Sequence, residues 1–189
     1  MNLHNTEDKE LWIEKGLKAE GHFIRIAEQR FGINISINPE KKVNKYSPDL
    51  LLPNGYRADL KTVRTPFFKA GDYGMDPSST VTFNHKDYIR YLSKNFYRAF
   101  FILFWCEWNS ETRYGIHVNQ MDSLFCASIH DIDRLITTNK SYCHYYKKRK
   151  RDTGFNAKAS WLINLDDIHE VANGELFPLS FSLDHSEAD

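Results

Sequence analysis

The segment SPDLLLPNGYRADLKT, residues 47–62, carries two aspartates and a lysine: Asp49, Asp59 and Lys61. Neighbouring carboxylates repel each other, and a cation is the usual resolution. A hard divalent ion such as Mg²⁺ takes oxygen ligands and keeps several waters, so two acids suffice when a phosphate completes its shell. A lysine on the same surface can orient or deprotonate an attacking water, or neutralise charge developing at phosphorus. The three residue types together are what metal-assisted phosphodiester hydrolysis needs. The competing reading is an Asp–Lys pair across a solvated sheet face.

Whether the two acids meet depends on the turn between them. A two-residue Asn54-Gly55 turn pairs Asp49 with Leu60 and directs it away from Asp59. A three-residue loop, Pro53-Asn54-Gly55, pairs Leu52 with Tyr56 and therefore Asp49 with Asp59. Such a loop needs a type I turn followed by a left-handed residue. Proline suits its first position and glycine its last. Turn chemistry thus favours the register that joins the carboxylates. Strand parity then puts Asp59 and Lys61 on one face, with Ala58, Leu60 and Thr62 on the other.

A third acid lies upstream. Ile13, Leu17, Glu20, Ile24, Ala27 and Phe31 follow a 4-3-4-3-4 spacing and form one helical stripe. Ala19, Phe23 and Ile26 flank it. An unpaired carboxylate amid that stripe is costly, so Glu20 needs a lysine, a metal or water as partner. It either reaches solvent, pairs with Lys61, or joins the two aspartates.

The elements that must position these residues follow from patterning. The spacing predicts a helix over residues 7–31, with Asn5 or Thr6 as N-cap and Gly32 as its end. A short β-rich run (33–37), a basic loop (NPEKKVNKY) and the hairpin come next. TVTF (80–83) reads as a strand, with Asn84 capping a helix through about Lys94. The apolar run 99–107 suits a central strand buried on both faces. RYGIHV (113–118) is expected beside it, NQMDSLFCASI as a short helix, and SWLINL (160–165) as a last strand. This order suggests an α/β sandwich, a mixed sheet flanked by helices. No internal repeat or linker divides residues 1–189, which read as one domain with an acidic tail frayed from about Asp184.

Composition narrows the function classes. With 189 residues, 41% hydrophobic and 14% aromatic, the chain can build its own core. No stretch approaches the ~20 apolar residues of a membrane span, and the polar, acidic start is unlike a signal peptide. Three scattered cysteines make no disulfide framework, so a cytoplasmic setting is expected. The histidines form no ligand motif, which leaves zinc without support. The glycine loop near Gly71 and Gly74 lacks the phosphate-binding lysine pattern. Net charge is zero, yet residues 145–160 hold six Lys/Arg against one Asp, and residues 161–189 hold seven acids and no Lys/Arg. A neutral total therefore does not exclude an anionic partner.

With Pro48 before Asp49, nine residues between Asp49 and Asp59, and Asp59-Leu60-Lys61, the hairpin resembles the signature of PD-(D/E)XK nucleases. The preceding helix with its acid, in KGLKAEGHFIRIAEQRFG, resembles that of Holliday-junction-resolvase-like members. The resemblance covers roughly residues 9–65. It implies a restriction-endonuclease-like α/β/α sandwich with a central mixed sheet. It also implies a Mg²⁺-dependent deoxyribonuclease in which Mn²⁺ substitutes for Mg²⁺. Asp49 and Asp59 would be metal ligands, Lys61 would activate or position the water, and Glu20 would be an accessory ligand, direct or through water. A non-cleaving nucleic-acid-binding or regulatory protein on the same fold is the alternative, and dimerisation is compatible with cutting both strands. DNA is the expected partner.

The basic run YYKKRKRDTGFNAKAS (145–160) suits such a partner. Lys147, Lys148, Arg149, Lys150, Arg151 and Lys158 are candidate phosphate contacts, with KKVNK (41–45) and Arg64 next to the proposed site adding to the same surface, and the interspersed rings could stack on unpaired bases. A solvated face is the alternative for the run.

Overall fold

In the computed structural model, residues 9–44, 46–93, 100–146 and 159–177 are described. The fold is organised around β5 (Phe100–Trp108), the nine residues FFILFWCEW. Its residues alternate between two cores. Phe100, Ile102, Phe104, Cys106 and Trp108 enter one, and Phe101, Leu103 and Trp105 enter the other. A strand covered on both faces has no polar side to show, which explains the unbroken apolar run from Phe100 to Cys106. Each fully buried large side chain contributes about 1.5–3 kcal/mol relative to exposure.

One face of β5 is covered by α1 (Lys9–Phe31), through the buried Phe23, Ala27 and Phe31. Gly32, at φ 68°, ends that helix in the left-handed conformation glycine adopts readily. The opposite core receives α2 (His85–Ser93) and α3 (Ile129–Thr137), through Tyr88, Tyr91, Ile129, Ile132 and Leu135. Ser128 and Asp131 form a reciprocal capping box that starts α3.

The central sheet contains β1 (Ser36–Ile37), β2 (Leu50–Leu51), β3 (Arg57–Val63), β5, β8 (Met121–Ser128) and β11 (His169–Glu170). Their spatial order is β1-β2-β3-β5-β8-β11. β3 and β5 run parallel, and the other neighbouring pairs run antiparallel. The expected α/β architecture is present: a mixed central sheet flanked by helices.

The second half of the chain departs from expectation. The segment expected as a short helix, NQMDSLFCASI, contains β8, the antiparallel neighbour of β5 along its length. Residues 113–118 do not pair with β5. They belong instead to a separate hairpin of β6 (Glu111–Arg113) and β7 (Ile116–Val118). The physical reason lies in β8, where Leu124, Phe125, Cys126 and Ala127 are consecutive and all buried. Consecutive burial needs a strand covered on both faces, and so short a run does not reveal its period. A second sheet, β4-β10-β9, packs with α2 and α3. It comprises β4 (Thr80–Asn84), β9 (Tyr142–Tyr145) and β10 (Ala159–Asn164). Among the described residues no helix is long and apolar enough to cross a membrane.

Candidate active site

The hairpin adopts the three-residue register. Leu50 faces Ala58 and Leu51 faces Arg57, and the amide of Leu52 donates to the Tyr56 carbonyl at 2.7 Å. Pro53–Gly55 form a single 3-10 turn, and Gly55 takes φ 78°. Continued one step beyond the strand pair, the register brings Asp49 opposite Asp59. β2 begins at Leu50, the partner of Ala58, so beyond Ala58 this edge of β3 has no strand partner. The Asp49 carboxylate fills the first vacancy, with Oδ2 accepting the Leu60 amide at 3.1 Å.

Asp59 and Lys61 share one face of β3, as strand parity requires. Lys61 Nζ stands 2.5 Å from Asp59 Oδ2, 2.7 Å from Asp87 Oδ2 on α2, and over the Phe83 ring. Asp87 also pairs with Arg90 at 3.0 Å, and Arg90 donates to the Tyr91 hydroxyl at 2.7 Å. The Tyr91 hydroxyl is in turn a hydrogen-bond partner of Asp59.

Burial alone would push the Asp59 carboxyl upward. The Lys61 charge beside it and hydrogen bonds from Asp49, Lys61 and Tyr91 together outweigh burial and hold it below the ordinary carboxylate range. Burial likewise opposes the charge on Lys61, yet Asp59 and Asp87 hold its ammonium protonated well above the usual lysine range. The Tyr91 hydroxyl is pushed up, first by burial and then by Asp59. As folded, Lys61 is a fixed positive charge facing an ionised aspartate, and its ordinary state is that of a donor and electrostatic clamp.

Asp49 has the opposite character. Burial and then the neighbouring Asp59 push its carboxyl up to about 7, and the two carboxyl groups are hydrogen-bonded to each other. Asp49, rather than Asp59, is the member of the pair that holds its proton up to that range. On its other side, Asp49 Oδ1 accepts from Lys41 Nζ at 2.5 Å. The same ammonium reaches Glu20 Oε1, also at 2.5 Å. Glu20 is buried as its place in the stripe requires, at 6% exposure. Its partner is Lys41 rather than Lys61.

These residues fit a hard divalent ion in donor type. Asp49, Asp59 and Glu20 supply only carboxylate oxygens, and Glu20 Oε2 is buried with no hydrogen-bond partner. Among the described residues, however, no three acids, histidines or cysteines converge as a ready-made ligand group. The reason is visible in the geometry: the Lys41 ammonium stands between Glu20 and Asp49.

A cleft of about 350 Å³ opens beside Lys61, lined by Thr62, Arg64, Phe67, Thr80 and Thr82 among others. Arg64 borders it, but its guanidinium lies 4.1 Å over the Trp105 ring and pairs with Glu107. Lys147, Lys148, Arg149, Lys150, Arg151 and Lys158 lie outside the described residues.

Three site residues escape a reading of the sequence: Lys41, Asp87 and Tyr91. Lys41 stands in the basic stretch KKVNK, which reads as added phosphate-contact surface rather than as a partner of the acids, and Asp87 and Tyr91 resemble ordinary helix residues. The one available signal was the need for a cation near the Glu20 stripe.

No protein-family model and no curated protein matches the chain. Among solved structures, the chain is similar to that of D212, a nuclease from a fusselovirus, at 15% identity and a TM-score of 0.42, covering 86% of this chain and 84% of that one. A superposition of that closeness carries no argument about activity.

Proposed function

We propose that the protein is a divalent-metal-dependent DNA endonuclease that hydrolyses phosphodiester bonds through a PD-(D/E)XK-type site. The observation that carries this reading is the meeting of Asp49 with Asp59, and of Asp59 with Lys61, on one hairpin whose three-residue turn fixes the register. Asp49, Asp59 and Glu20 would hold the ion, and bound Mg²⁺ or Mn²⁺ would supply Lewis-acid activation of water and phosphate. Lys61, held protonated by Asp59 and Asp87, orients the attacking water and offsets negative charge at the phosphate.

One observation favours a second reading, a non-cleaving nucleic-acid-binding protein on this fold: Lys41 already neutralises two of the acids without a metal. A single experiment separates the two. The purified protein is incubated with linear, nicked, branched and single-stranded DNA, with and without Mg²⁺ or Mn²⁺. Metal-dependent cleavage that is abolished in Asp59→Asn and reduced by about 10²–10³-fold in Lys61→Ala is expected. Cleavage undiminished by both substitutions would refute the chemistry, and binding without cleavage on every substrate would favour the second reading.

A further inference from the structure

We infer that Lys41 is a resident cation of the carboxylate site: its ammonium holds Glu20 and Asp49 when no metal is bound, and must leave them before a divalent ion can enter. This rests on the metal-dependent reading above and adds a positioning residue to it.

The contacts are specific about which oxygens are involved. Asp49 Oδ2 accepts the Leu60 amide, which leaves Oδ1 as the oxygen without a backbone donor, and Oδ1 is the one Lys41 holds. On Glu20, Lys41 takes Oε1 and leaves Oε2 buried without a partner. A small ammonium with three donors satisfies two acids in this way, but a metal needing several oxygen ligands would draw on both ends of the Glu20 carboxylate or on water. Two cations cannot share a space of this size, because their repulsion at contact distance is strong in a half-buried setting. Occupancy by Lys41 and by a metal therefore excludes one another.

The loop that carries Lys41 is built to hold the lysine at this place. Lys41 belongs to the 3-10 turn Pro39–Lys42, started by Asn38, whose side chain accepts from the Glu40 amide. The buried Asn38 also donates from Nδ2 to the Pro48 carbonyl at 3.0 Å, and its backbone amide donates to the Asp49 carbonyl at 3.0 Å. The turn is thus tied to the very segment that presents Asp49. Its outer side is open, with Lys42 and Val43 exposed, so a rotamer change of Lys41 can carry the ammonium into solvent without moving the backbone.

The test is Mn²⁺ binding to the full-length protein without DNA, by titration calorimetry, for wild type, Lys41→Met and Lys41→Gln. If the lysine-held state outweighs the open one by about ten to one, removing the lysine tightens Mn²⁺ binding by about tenfold. Both variants should also melt at lower temperature than wild type in metal-free buffer and regain that loss when Mn²⁺ is added. A lysine that merely supports the loop would leave affinity unchanged or weaken it, and either result in both variants overturns the inference. Equal affinities alongside intact metal-dependent cleavage would overturn this inference and leave the proposed activity standing. Absence of Mn²⁺ binding in all three proteins would overturn this inference, while the proposed activity is decided separately by metal-dependent cleavage of DNA, whose phosphate can complete the ion's shell.

Discussion

Lys61 on β3 and Asp87 on α2, 26 residues apart in the chain, meet at 2.7 Å. Asp87 is the second acid on this lysine, after Asp59 at 2.5 Å. Removing it leaves Lys61 charged but tethered from one side only. Asp87→Asn is expected to slow cleavage by about 10-fold to 100-fold, the range seen when a partner that orients a catalytic group is lost. Mn²⁺ affinity should stay within error of wild type. An equal loss of both would place Asp87 among the ion's ligands instead.

Asp59 and Lys61 are expected to matter more. Lys61→Ala should reduce the cleavage rate by about 10²–10³-fold, as for loss of one preorganised electrostatic contact. Asp59→Asn should abolish metal-dependent cleavage and weaken Mn²⁺ binding. Rates under single-turnover conditions, with circular dichroism to show that each variant is folded, provide the check.

The turn offers a test that changes no charge. Deleting Asn54 shortens the loop to two residues, and a one-residue slip moves every side chain of one strand to the other face. The Asp49–Asp59 pair should then be lost, with cleavage falling to background while both aspartates remain in the chain. Gly55→Ala is the milder companion. At φ 78° it places a side chain in the left-handed region, expected to lower stability by about 1–2 kcal/mol without changing the register.

Asp49 gives the protein a defined pH signature. Its folded pKa, raised from 3.8 to about 7 by burial and by Asp59, means that the folded state binds more protons than the unfolded state between those values. Stability from this group is therefore greatest at low pH and falls as pH rises toward 7, levelling above it. Asp59, held low, acts in the opposite sense: it stabilises above the ordinary carboxylate range and loses that contribution in acid. In urea denaturation from about pH 5 to pH 8, Asp49→Asn should flatten the decline seen in wild type. A variant with the wild-type slope would assign the titration to another group.

Much of the site could be read from residue order, and the parts that could not share a cause. The hairpin register was legible because Pro53, Asn54 and Gly55 each suit one position of one loop type. Glu20 was legible because helical periodicity sets it among residues that become buried. Lys41 and Asp87 were not, because what distinguishes them is a partner 21 or 26 residues away. A lysine among lysines carries no mark of which one turns inward. β8 was misread for a related reason: its apolar residues are contiguous, and contiguity reflects cover on both faces rather than a period. The strand of greatest length and apolarity, β5, was the easiest to recognise.

The parallel pairing of β3 with β5 has a consequence for how the molecule comes into being. The hairpin can close from neighbours in sequence, but the β3–β5 ladder joins Arg57 with Phe100 and Val63 with Cys106, and the intervening connection carries β4 and α2. Contacts of such sequence separation raise contact order and slow folding. During synthesis the two aspartates can lie side by side before α2 exists to anchor Lys61. The acidic pair is an early, local product of the chain, and the finished site is a late one.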